Sequence, residues 1–252
     1  MTLLPELSLY LWLIAILVIT IGSFIQGVIG YGIALFSAPL LFLIYPGFVP
    51  APLIILGGIM SLLVLRDNYQ HVVRRDLYFT LSGSFIGVFT AWLVAGLLSA
   101  AAWDIIFGGL ILLAVAVSVV SYLRRNSRVH SDGPGNVTIF AGAYGTGLMG
   151  TITGVGGPPI GLAYQQATPG RIRGSLSATF IPASIVSLIA LWHIGRFSLA
   201  DLVVSALLAP AMFAGFYLSQ RFGGRLPASW FTRFLLSISA IAGFYAVLRG
   251  FL

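Results

Sequence analysis

Cysteine and lysine are both missing from this chain of 252 residues. Without cysteine there are no disulfides, no thiolate metal ligands and no thiol nucleophile. Without lysine, the whole basic complement is 13 arginines, set against six acids, for a net charge of +7. Charge of either sign is scarce: 8% of residues are charged and 59% are hydrophobic, where soluble domains carry about 25% charged residues. With a mean hydropathy of +1.03, most of the chain has lipid for its solvent. That leaves no extramembrane domain to carry a soluble enzyme. HExxH, GxSxG and GxxxxGK[ST] are absent, and the three histidines, His71, His130 and His193, have no paired-ligand spacing. No catalytic residue, metal site or cofactor is therefore expected, and the chain is read as no enzyme. Arginine on short loops is better explained as a topology signal than as a nucleic-acid surface. The first residues, 1–11, contain Glu6 and no basic residue, so the first apolar run is read as a retained span rather than a cleaved leader.

What is present is glycine inside apolar runs. Gln26-Gly27-Val28-Ile29-Gly30-Tyr31-Gly32 breaks the first run, and Gly150-Thr151-Ile152-Thr153-Gly154-Val155-Gly156-Gly157 breaks a later one. Glycine at this density does not sustain a regular helix. In lipid, broken backbone persists only where protein buries it or a watery cavity wets it.

The fold class expected is all-α, a polytopic membrane protein of about ten transmembrane or half-membrane helices. The segments are 9–29, 33–45, 48–65, 77–98, 103–123, 137–153, 158–167, 172–194, 199–220 and 230–251. Residues 66–76 read as a polar loop and 124–136 as a cytoplasmic linker. Within 77–98, Gly83 and Gly87 form a small-xxx-small face for close helix approach. Asn136-Val137-Thr138 matches a glycosylation acceptor, and is read as accidental because it abuts a span.

The two halves echo each other. A shift of 124 places Gly30 and Gly32 on Gly154 and Gly156, a shift of 123 places Pro46-Gly47 on Pro169-Gly170, and a shift of 125 places Asp76-Leu77 on Asp201-Leu202. Residues 1–123 and 137–252 are thus read as two five-helix repeats. Five is odd, so the second copy inserts upside down, as an inverted-topology repeat. Ten crossings put eleven arginines on one side and leave Arg196 and Arg249 on the other; eight crossings split them 8 to 5. The positive-inside rule prefers ten, with both termini periplasmic.

Asp76, Asp104 and Asp201 fall near segment ends, where helix capping or interfacial solvation accounts for them. Asp67 and Asp76 have arginines close by with which to pair. Mid-membrane polarity is left to small groups and amides. The substrate-binding residues expected are Gln26, Gly30, Tyr31 and Gly32 from the first break, and Thr153, Gly154, Gly156 and Gly157 from the second. Unwound backbone at a helix start offers free N–H groups and a positive dipole end, which bind anions without a fixed cation. The plainer alternative is that the glycines serve helix crossing only. The second copy is expected to supply more backbone donors than the first.

The paired Gly-rich segments, Pro39, the arginine-bearing middle loop and the second-copy run Gly154-Val155-Gly156-Gly157 resemble the TauE/SafE family of sulfite and organosulfonate exporters. The first copy departs from the G-x-G-G pattern at Ile33, and Pro158-Pro159 departs in the second. The resemblance implies a multi-pass carrier of small sulfur-containing anions in the bacterial inner membrane. Its partners are then an anionic substrate and the lipid bilayer, not nucleic acid, with a homodimer among the open oligomeric states. A passive anion channel and a non-transporting membrane partner subunit are the alternatives.

Overall fold

The computed structural model describes residues 7–29, 32–124, 133–223 and 228–249. Within them the chain is helical: α1 (Leu9–Ile29), α2 (Ile33–Ile44), α3 (Ala51–Asn68), α4 (Arg74–Ala95), α5 (Ala100–Arg124), α6 (Asn136–Thr153), α7 (Gly157–Ala163), α8 (Pro169–His193), α9 (Leu199–Phe222) and α10 (Ala228–Arg249). Among the described residues, six helical segments are long and apolar enough to cross a membrane. Leu17, Leu62, Phe89, Ile189 and Ile241 are each more than half exposed on the outside of the bundle. A water-soluble surface rarely tolerates apolar exposure on this scale, whereas lipid tails solvate it.

The expected segments match these helices closely, because apolar runs and their Pro and Gly punctuation are local features. The correction is at residues 66–76. Instead of a loop, α3 continues to Asn68, a 3-10 turn spans Tyr69–His71, and α4 begins at Arg74. Arg74, Arg75 and Asp76 therefore lie in the first turn of a helix. The acceptor Asn136 opens α6, with its Oδ1 accepting from Arg75 Nε at 2.7 Å.

Packing is paired across the halves. α1 lies on α9 and α6 on α4; α2 meets α10 and α7 meets α5; α4 meets α8 and α9 meets α3; α3 crosses α8 and α5 crosses α10. Exchanging each helix with the one five places along maps these contacts onto one another. Gly83 and Gly87 serve the close approach expected of them. A Cβ on Gly83 would lie 2.5 Å from the carbonyl oxygen of Phe140, and one on Gly87 would lie 2.8 Å from the amide nitrogen of Leu148, so α4 and α6 touch backbone to backbone. Gly215 of α9 does the same against α1.

Several hydroxyls on the spans are satisfied within their own helices. Ser61, Thr146, Thr151 and Thr153 each donate to the carbonyl four residues earlier, the local solution open to a small polar side chain in lipid. One end of the bundle gathers Arg66, Arg74, Arg75, Arg171 and Arg173. The opposite end carries Trp92, whose Nε1 donates to His193 Nδ1 at 3.2 Å, and Trp103, with the Arg196 guanidinium 3.8 Å above its ring. Amphipathic aromatic rings of this kind suit a membrane–water boundary.

Candidate functional site

Each Gly-rich stretch ends one helix and starts another that returns along it. In the first half, α2 runs back against α1, with Ser37 Oγ donating to the Val18 carbonyl at 3.3 Å. Gly32 sits at φ 132°, a conformation closed to residues with a Cβ. The first three N–H groups of a helix have no partner inside it. Gln26, one turn before the end of α1, meets one of them: its Oε1 accepts from Ile33 N at 3.2 Å. Gln26 itself is almost fully buried.

The second break is closed differently. Gly154 is left-handed (φ 79°) and its N–H returns to the Gly150 carbonyl at 2.8 Å, capping α6. Thr153 Oγ1 donates to Met149 O at 2.7 Å and accepts from Val155 N at 3.0 Å. Of the residues that follow, Pro158 and Pro159 have no N–H to offer. Gly156 and Gly157 hold the donors that remain at this turn.

Both breaks face one partly open cavity of about 70 Å³. Its lining comes from Gln26 of α1; Gly32 and Ile33–Leu35 at the first break; Leu53, Ile54 and Gly57 of α3; Thr146, Gly147 and Gly150 of α6; Gly154 and Gly156–Pro158 at the second break; and Phe180, Ala183, Ser184 and Ser187 of α8. None of these residues is ionisable. The polar groups are amide, hydroxyl and backbone, and Ser187 Oγ is itself bonded to Thr151 Oγ1 at 2.8 Å. Among the described residues no cluster of His, Asp and Glu could hold a metal ion.

Of the residues expected at a site, Gln26, Gly32, Gly154, Gly156 and Gly157 meet at this cavity. Thr153 is fully buried and is spent on the backbone of its own turn. Gly30 and Tyr31 lie outside the described residues. Sequence reading missed Thr146, Ser184 and Ser187 and the α3 wall. Their signal is weak, because small polar residues on spans more often serve helix packing.

Asp76 is the largest departure. Capping or interfacial solvation was expected, yet it is fully buried and accepts two hydrogen bonds of 2.9 Å from Nε and Nη2 of Arg171. The pairing with arginine was foreseen; the partner, 95 residues away in the other half, was not. Asp201 does behave as a cap: its Oδ2 accepts from the Ser198 backbone N–H at 2.7 Å in a capping box that starts α9.

Interrupted helices around a cavity whose described lining carries no charge, in a bundle of apolar helices, are consistent with a polytopic membrane protein of the transporter class. The profile of the sulfite exporter TauE/SafE family matches residues 14–246, and the chain belongs to that family. Searches of curated proteins and of solved structures found no match. The family is one of membrane transporters of small anions, so transport rather than catalysis is the activity the family implies.

Proposed function

We propose that the chain is a secondary transporter that exports a small sulfur-containing anion, sulfite, sulfoacetate or a related organosulfonate, across the bacterial inner membrane. The observation that carries this reading is the meeting of both Gly-rich breaks on one cavity with no ionisable residue in its described lining. An anion there is held by dipoles: the Gln26 amide, whose oxygen is occupied by Ile33 and whose Nε2 remains to donate, the N–H groups of Ala34 and Leu35 in the first turn of α2, and those of Gly156 and Gly157, with Gly154 shaping the turn. Gly30 and Tyr31 belong to the same turn in this proposal. Thr153 fixes the second turn rather than touching the anion. Dipoles without a counter-charge bind an anion reversibly, which suits a carrier that must also release it.

In the same reading, residues 1–123 and 137–252 are inverted repeats joined by the cytoplasmic linker 124–136. Both termini are periplasmic, and the repeats rock around the cavity. The exchange of helix contacts between halves supports it. An inside-negative potential favours anion exit by about 2.3 kcal/mol per charge per 100 mV.

The test is flux of sulfite, sulfoacetate, thiosulfate and sulfate into proteoliposomes, with and without an imposed potential. Saturable flux of a sulfite or sulfonate that responds to potential is expected. Absence of flux for every anion in the panel would sink the proposal, and single-channel currents would replace the carrier with a channel.

A further inference from the structure

We propose that the α4–α8 seam is the gated path between the cavity and the arginine-rich end of the bundle, and that the Asp76–Arg171 pair is its lock. Steps of four residues stay on one side of a helix. On that spacing α8 presents Arg171, Ser175, Thr179, Ala183 and Ser187, while α4 presents Asp76, Thr80 and Ser84. The two rows meet. Arg171 grips Asp76 with two prongs at the outer end, and two turns further in Thr179 Oγ1 donates to Thr80 Oγ1 at 2.7 Å. Deeper still, Ala183 and Ser187 line the cavity. A largely polar row thus runs from the end of the bundle to the cavity.

The residues beside the lock are short of hydrogen bonds. Among the described residues, Gln165 Oε1 and Arg173 Nε at the α7–α8 corner are buried without a partner, and the Tyr164 hydroxyl and Ser175 Oγ lie near each other and near Asp76 without a well-formed hydrogen bond. Tyr164 is fully buried and Ser175 nearly so. Buried polar groups are normally paired, so a concentration of orphans marks a place that another arrangement satisfies better. Parting the seam to water gives these atoms partners and offsets the loss of the ion pair. The lock is covered from outside: the left-handed Gly133 leaves no room for a Cβ against the Arg171 guanidinium, and His71 packs on Gly170.

The counterpart seam, α3–α9, has no such device. Asp201 stands where the repeat places Asp76, but it bonds Ser198 of its own cap, and the buried residues here include Leu53, Leu56, Val204 and Leu208. The lock therefore belongs to one side only. It rests on the transport reading for what it gates, but not for how it is tested.

The test uses the absence of cysteine. Ser175→Cys places a single thiol of similar size inside the closed seam. In proteoliposomes carrying the full chain, with a membrane-impermeant maleimide on both sides, that thiol should label slowly. Adding Asp76→Asn/Arg171→Gln, which removes both charges together, should raise the rate about tenfold or more. The swapped pair Asp76→Arg/Arg171→Asp should bring it back down. Should the neutral pair fail to fold, Arg171→Lys keeps the charge, loses the two-pronged contact, and should give a several-fold rise. Fast labelling with the pair intact, or no change of rate in a folded lock variant, overturns the proposal. No substrate enters the assay, so a wrong anion leaves this result standing, and a failed lock leaves the flux panel standing.

Discussion

The two helix breaks solve one problem by different means. In the first, the amide that satisfies the Ile33 N–H comes from Gln26, seven residues back, and its other end remains polar beside the cavity. In the second, Thr153 and Gly154 close the turn locally, and prolines replace donors in the turn that follows. Similar backbone interruptions thus yield one side that presents a side chain to the cavity and one that presents backbone. The seams differ in the same spirit, one ionic and one apolar. Two halves with the same pattern of helix contacts thus differ in how each turn is closed.

The largest test of that difference is Gly156→Leu. Even a Cβ there would lie 3.1 Å from both Thr146 Cγ2 and the Thr146 carbonyl oxygen, so a leucine side chain displaces cavity volume. Flux should fall at least ~100-fold, equivalent to about 2.7 kcal/mol in effective barrier, with the protein still monodisperse in detergent. Undiminished flux would detach the cavity from transport.

The seams can be compared by stability. Asp76→Asn leaves Arg171 largely buried and without its anion, which should cost about 3–5 kcal/mol. Asp201→Asn weakens only an exposed capping box and should cost about 1 kcal/mol or less. Thermal melts in one detergent should keep that order; equal shifts would erase the distinction between the two sides.

The breaks can be compared by what each change affects. Gln26→Leu removes a lining amide and the partner of Ile33 N–H, so both flux and stability should fall, the latter by about 1–3 kcal/mol. Thr153→Val keeps the shape but strands the Val155 N–H, with a similar or smaller stability loss of about 1–2 kcal/mol and substrate affinity unchanged. An affinity loss on Thr153→Val would return that hydroxyl to the binding site. Gly154→Ala should cost about 1–2 kcal/mol in its left-handed backbone, with apparent affinity little changed.

Much of this was legible in the sequence for a physical reason. Helix positions follow from runs of apolar residues, which lipid enforces segment by segment, and the breaks follow from local glycine density. Gln26 and the glycines of both turns could be named because polarity inside such a run is conspicuous. Ser184 and Ser187 could not, since a serine on a span looks the same whether it faces a neighbour, the lipid or a cavity. Thr153 was placed at the site by its neighbours in sequence, but its hydroxyl was already committed to the turn.

The sequence by itself determined that the chain lives in a bilayer, that it is helical, where its helices stop, and that two of those stops are glycine-rich. Those properties depend on solvent and on near neighbours in the chain. The convergence of both breaks was expected from the sequence, but tertiary structure alone decided which walls of α3, α6 and α8 complete the cavity, that α4 and α8 turn their polar rows towards each other, and that Asp76 finds Arg171 rather than an arginine nearer in sequence. Which faces of two helices meet is set by packing summed over the whole bundle, with contacts such as Gly87 against α6 fixing the rotation of α4. No stretch of the sequence contains that information on its own.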